Sequence, residues 1–290
     1  MFIFASQTKL LTTNCLLHSK FMAIVKGPIQ FSGSISNVSF YTRRGSDKVI
    51  ARSKGGATKE KIKTSPKFEG FRLQQNEWKG CTAFASSLRY TFGGLYRLAD
   101  YNLTPVLNGF AKNIQKTDVV SQNGKRIIAL SKYRYTLENF NFNRNYPFNT
   151  VIKVGLIGQI NREKLTATVQ VPRINTETDI QNVQRLPYFR IIVALGAISD
   201  LKYNEAASSY EPTVREMHGV SVAVTGDWFL SENMLPEQTI EVNLGEEFKS
   251  CMTEEISLVL SMAIEFGKVG FTGVPQEVKY AGCGKVIRVG

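Results

Sequence analysis

Two histidines, four cysteines and no long apolar run set the first limits on this chain of 290 residues. No stretch approaches ~18 consecutive apolar residues, so no membrane-spanning helix is expected. Cys15, Cys81, Cys251 and Cys283 lie far apart in sequence and form no CxxC pair. A zinc site would have to be assembled from distant residues, with only His18 and His218 to help. Scattered thiols without a disulfide framework suit a reducing compartment, and a cytoplasmic location is expected. Cys81 falls on a helical pattern and reads as a small core residue.

The motifs of catalysis are equally scarce. There is no HExxH and no serine elbow. "GGATKEK" at 55–61 lacks the spacing of a phosphate loop, and "GCGK" at 282–285 leaves no room for a following helix. Both read as turns. His218, in "REMHGV", reads as a surface loop residue and not as a base. The pairs in "GEE" and "TEE" read as solvated, and no spacing suggests two cooperating carboxylates. Trp228 and Tyr188 are assigned to core packing. The expectation is no catalytic residue, no cofactor and no metal.

Acidic residues are rare where basic ones are dense. From Met22 to Asp118 there are 16 Lys or Arg against 6 Asp or Glu, a net of +10. From Val119 to Gly290 the counts are 18 and 18. The stretch "TRRGSDKVIARSKGGATKEKIKTSPKF", residues 42–68, alone holds nine Lys or Arg and two acids. Its candidate contact residues are Arg43, Arg44, Lys48, Arg52, Lys54, Lys59, Lys61 and Lys63. Such a run fits an acidic partner, nucleic acid included, and it equally fits a solvated loop or an assembly arm. Phe31, Phe40 and Tyr41 could stack on bases, yet they also alternate as buried strand residues do.

The pattern along the chain changes period three times. Residues 1–21 have short apolar patches broken by polar residues and are read as an extension, with Met22 as the expected start. Residues 22–63 read as a basic β-hairpin arm and linker. "VSFYT" and "VIARS" flank the turn residues "RRGSDK", and "KGGATKEKIK" is a charged connector. Residues 64–140 read as a small helical bundle. Thr64 or Ser65 caps the first helix and Pro66 fits its first turn. Phe68, Phe71, Trp78, Cys81, Ala85 and Leu88 mark its buried stripe. Gly93 and Gly94 interrupt, and Pro105 starts or kinks a further helix with Val106, Leu107, Phe110 and Ile114 inward.

From Asn141 the period becomes two. "TVIKVGLIGQI" and "LTATVQV" read as a hairpin, and "YFRIIVALGAI" as a continuous apolar strand. "VSVAVTGDWFL", "TIEVNL" and "ISLVLSMAIEF" each place apolar residues on one face. Residues 141–290 therefore read as an antiparallel β-sandwich, and the fold class of the whole is α+β.

"KGPIQFSGSISNVSFYTRRG", "KTSPKFEGFRLQQNEW", "NFNFNRNYPFNT" and "GFTGVPQEVKYAGCGKV" carry a resemblance. On these segments the chain from Met22 onward resembles a family of proteins of Bacteroidota. That family has no assigned activity, so the resemblance implies no residue role.

A marginal hairpin, a basic arm and a sandwich without a visible site point to a non-enzymatic structural or protein-interaction protein. A component of a mobile-element or phage-like assembly fits that description. Its expected partner is itself or another protein, since arms can add strands to a neighbour's sheet. The alternative is a nucleic-acid-associated protein that binds through the arm. A third reading is an enzyme whose site is assembled from distant residues.

Overall fold

The computed structural model describes residues 22–25, 32–42, 48–53, 55–271 and 273–290. They divide into two compact units, with the boundary between Phe68 and Glu69.

The first unit is built on an antiparallel sheet. Strands β1 (Met22–Val25), β2 (Gly33–Ile35), β3 (Val38–Thr42) and β4 (Val49–Ser53) lie in the order β1-β4-β3-β2. Ser36, at φ 48°, opens the tight turn between β2 and β3, a conformation that two-residue hairpin loops require. The expected pair "VSFYT" and "VIARS" forms, with Phe40 opposite Ala51 and Tyr41 opposite Ile50. An isolated hairpin is marginal in water, and here β1 and β2 flank it on either side. The turn carrying Arg43 and Arg44 lies outside the described residues, as does Lys54.

The connector reading of 54–63 needs correction. Lys59–Thr64 is a helix, α1. Thr58 caps it by accepting the Lys61 N–H at 3.3 Å, and the Thr64 hydroxyl donates to the Glu60 carbonyl. Gly55 and Gly56 break the chain just before a good capping residue, and the helix starts there. Pro66 opens a separate 3-10 turn, Pro66–Phe68.

The second unit has three layers. Its helices are α2 (Glu69–Tyr90) and α3 (Leu103–Lys116). Asn102 caps α3 by accepting the Thr104 N–H at 3.0 Å. Gly93 and Gly94, at φ 57° and 83°, turn the chain out of α2. The strands are β5 (Ile157–Asn161), β6 (Thr166–Val171), β7 (Tyr188–Ser199), β8 (Leu201–Asn204), β9 (Ser209–Pro212), β10 (Val220–Thr225), β11 (Phe229–Leu230), β12 (Gln238–Asn243), β13 (Ile256–Val269) and β14 (Pro275–Val289). A five-stranded antiparallel sheet runs β10-β7-β13-β14, with β11 also on β7. A three-stranded sheet runs β12-β6-β5, and β8 pairs with β9.

The larger sheet is covered on both faces. Phe189, Ile191, Val193 and Leu195 of β7 join Leu258, Leu260, Met262 and Ile264 of β13 in a core shared with Val169, Val171 and Val242 of the smaller sheet. Ile192, Ala194 and Ile198 of β7 join Val259 and Ala263 of β13 in a second core with Phe84, Leu88, Leu107 and Ala111 of the helices. That burial explains why "YFRIIVALGAI" is apolar at nearly every position. The fold is α+β: an N-terminal strand region, a helical segment and antiparallel sheets packed together.

Several local readings change. "TVIKVGLIGQI" is not one strand: Phe148–Val151 is a helical turn, and β5 starts only at Ile157. The cause lies ahead of it, where Pro147 at φ −57° precedes that turn. "GCGK" is not a turn but part of β14, with Cys283 buried. Its glycines allow close packing: a Cβ at Gly284 would stand 2.7 Å from the Phe142 ring.

Not every helical glycine is spoken for. A Cβ at Gly109 of α3 would meet open space. Gly109→Ala is therefore expected to raise stability by about 0.5–1 kcal/mol, seen as a higher thermal midpoint.

Candidate functional site

The sequence-derived contact residues that the structure describes are all surface groups. Lys48, Arg52, Lys59, Lys61 and Lys63 are exposed. The Arg52 guanidinium stands 5.9 Å from the centre of the Tyr41 ring, within cation–π range. On α1, Lys59 and Lys63 are one turn apart and share a face, while Lys61 points about 200° away from each. Among the described residues of α1 the charges therefore form no single stripe.

Among the described residues of the second unit, three clusters centre on the buried acids Glu77, Glu265 and Asp200. In the first, Glu77 of α2 is 1% exposed. Its Oε1 accepts the Gly124 N–H at 2.9 Å and Arg126 Nε at 2.7 Å. Its Oε2 accepts Lys112 Nζ at 2.6 Å and Arg126 Nη2 at 2.9 Å. Burial alone would raise the carboxyl pKa, but Arg126, Lys112 and the Gly124 N–H together hold it below its ordinary value. Gln115 extends the cluster, donating to the Glu77 and Arg126 carbonyls and to the Tyr210 hydroxyl. Burial pushes the neighbouring Cys81 thiol up to about 11, which makes it an inert core group, as its helical position predicts.

In the second cluster, Glu265 of β13 is held by Arg97 Nη2 at 2.6 Å and Arg190 Nε at 2.7 Å. Arg190 also reaches Glu277 at 3.0 Å and lies 4.4 Å over the Trp228 ring. In the third, buried Asp200 accepts the Ser131 N–H at 3.0 Å, and burial raises its pKa. Next to Asp200 in the chain, Ser199 lies 3.3 Å from His218 Nδ1. His218 lies in a loop, as expected, but is half-buried there, and that burial lowers its pKa and favours the neutral ring. Glu246, Glu247 and Glu254 are exposed, as expected of solvated pairs, and Glu255 is half-buried; Glu246 and Glu255 also make surface ion pairs with Lys249 and Lys202. Each cluster joins elements distant in sequence, and the two buried glutamates have both oxygens engaged by fixed cations.

The predicted buried stripe of α2 is correct for Cys81, Ala85 and Leu88 and wrong for Phe71 and Trp78, each 47% exposed. The buried side is centred on Glu77, Cys81, Phe84 and Leu88. Trp78 lies one residue, about 100°, round the helix from Glu77 and misses that cover. Phe71 and Trp78 instead line a groove of about 670 Å³ with Gln74, Gln75, Lys79, Lys112, Lys116 and Arg126. Four cations and no acid line it, and two of them, Lys112 and Arg126, are paired with Glu77. Sequence reasoning missed this site because aromatic spacing on a helix signals burial first. The signal present was the absence of any acid at the lining positions 74, 75, 78, 79, 112 and 116.

Among the described residues no helix is long and apolar enough to cross a membrane, and no group of three His, Cys, Asp or Glu is placed to hold a metal ion. Comparison with protein-family models, with curated proteins and with solved structures finds no match to this chain.

Proposed function

We propose that this protein is a non-enzymatic interaction protein whose α2–α3 groove holds an acidic segment of a partner protein. The observation that carries the reading is the outward placement of Phe71 and Trp78 beside Lys79, Lys112, Lys116 and Arg126. Aromatic anchors ringed by charges of one sign are the composition of a binding hot spot. An amphipathic helix with apolar anchors and acidic flanks fits such a groove between two helices. Lys112 and Arg126 are already tied to Glu77, so the charge open to a partner's acidic flanks comes from Lys79 and Lys116. The polar clusters support the non-enzymatic reading, since Glu77 and Glu265 serve to join elements.

A labelled amphipathic peptide of Leu and Glu, followed by fluorescence anisotropy, tests this. Binding should weaken by about 30-fold in Trp78→Ala, a hot-spot loss of ~2 kcal/mol. It should also fade with salt and fall in Lys79→Glu/Lys116→Glu. Unchanged binding in both variants would sink the reading.

Exposed Lys59, Lys61 and Lys63 and the Arg52–Tyr41 stack favour a second reading, nucleic-acid contact by the N-terminal unit. A single-stranded oligonucleotide bound by the wild type and lost in Lys59→Glu/Lys61→Glu/Lys63→Glu, with Trp78→Ala unaffected, would establish it instead.

A further inference from the structure

We propose that β10 is a self-association edge: two copies of this chain pair their β10 strands antiparallel about a two-fold axis at Ala223. The inference is independent of the groove.

The outer edge of β10 offers unpaired backbone. Gly226 donates its N–H to the Ile191 carbonyl of β7 at 2.9 Å. Antiparallel bonding alternates by two residues, so Val224 and Val222 bond inward to β7 while Ser221, Ala223 and Thr225 turn outward. Among the described residues no other strand is hydrogen-bonded to that side.

Folded proteins guard such edges with charge, proline, bulges or a covering segment. The opposite edge of the same sheet shows the guard. There Phe142 donates to Gly284 and Asn139 to Val286, and the chain before residue 143 lies along β14. Gly219, at φ 81°, and Val220 both oppose Ala197 at the start of β10, and beyond them none of these devices interrupts the strand. From Gly219 to Gly226 the sequence "GVSVAVTG" carries no charge and no proline, and its register with β7 is unbroken from Val220 to Thr225. Val222 and Val224 stay 36% and 38% exposed, although their alternation marks a buried face.

The occupant that fits is a second copy. Centred on Ala223, an antiparallel pair sets Ser221 against Thr225 and Val222 against Val224, with no like charges opposed. Val222 of the second copy then stands beside Val224, at the mouth of a cavity of about 290 Å³ lined by Ile191, Phe229 and Ile240 among others. An isologous contact of this kind closes on itself and yields a dimer, not a fibre. The chain's net charge of +12 opposes association, but the paired segment is neutral. Added salt should therefore strengthen the dimer.

Light scattering on the full chain gives the test. The expected mass is twice the 32.4 kDa of one chain, rising in population with concentration and salt. Val222→Lys/Val224→Lys, at exposed positions, should return the mass to 32.4 kDa with an unchanged circular dichroism spectrum. In a Cys15→Ser/Cys251→Ser background, Ala223→Cys should form a symmetric disulfide on mild oxidation. Hydrogen-bonded antiparallel partners have Cα atoms about 5.5 Å apart, within disulfide reach. A wild-type monomer at millimolar concentration overturns the proposal. So does a dimer that survives the double lysine variant, or an Ala223→Cys dimer whose two introduced thiols fail to link.

Discussion

Glu77→Ala is expected to destabilise the second unit by about 3–5 kcal/mol, because it leaves two cations facing a buried, emptied site. Urea unfolding followed by circular dichroism would measure the change as a lower midpoint with an unchanged slope. The cost comes from what remains and not from the pair itself. Lys112 and Arg126 would lose the oxygens they now approach at 2.6 and 2.7 Å, and Gly124 would lose the acceptor of its N–H. Replacing all three side chains together, as Glu77→Leu/Lys112→Met/Arg126→Met, should cost far less than the single change. If the triple variant proves as unstable as Glu77→Ala, the cluster acts through shape and not through charge.

The same residue sets a pH dependence. Its folded pKa lies below the ordinary value of 4.5. Its contribution is thus fully present above that value and is lost as pH falls below it and through the lower folded pKa. His218, whose pKa partial burial lowers from 6.5, acts in the same direction, since protonation must charge a part-buried ring. Stability should fall on acidification, beginning near the ordinary histidine range and steepening in the carboxylate range. His218→Gln should flatten the upper part of that fall.

Gly196→Val is expected to cost more than the ~1–3 kcal/mol of ordinary overpacking, and to lower the thermal midpoint accordingly. A Cβ there would stand 2.3 Å from the Thr91 carbonyl oxygen and 2.5 Å from its Cα. Those are backbone atoms at the end of α2, so no side chain can swing aside. Relief would require moving the helix off the sheet and opening the core that Phe84, Leu88 and Ala194 share. Gly196→Ala should show the same direction with a smaller loss. A wild-type midpoint in either variant would mean that the helix end yields freely.

Much of this fold is legible along the chain. Ala167, Val169 and Val171 alternate in sequence and are all buried, because a strand has only two faces. The "VSFYT"–"VIARS" pair and the helix containing Cys81 follow from equally local rules. Phe71 and Trp78 show where such rules stop. Periodicity says which residues share a side of a helix, not how far its neighbours extend to cover that side. Val222 and Val224 give the same lesson on a strand. Their alternation is intact, but β10 lies at the edge of its sheet, where cover runs out.

The sequence alone determined the strand and helix periods, the basic N-terminal third and the thinness of motif chemistry, since each depends on residues adjacent in the chain. Only the tertiary structure decided which side of α2 meets the sheet, which acids find cations and which strand is left at an edge. Those outcomes depend on pairings such as Arg190 with Glu265, 75 positions apart, and no local pattern encodes them.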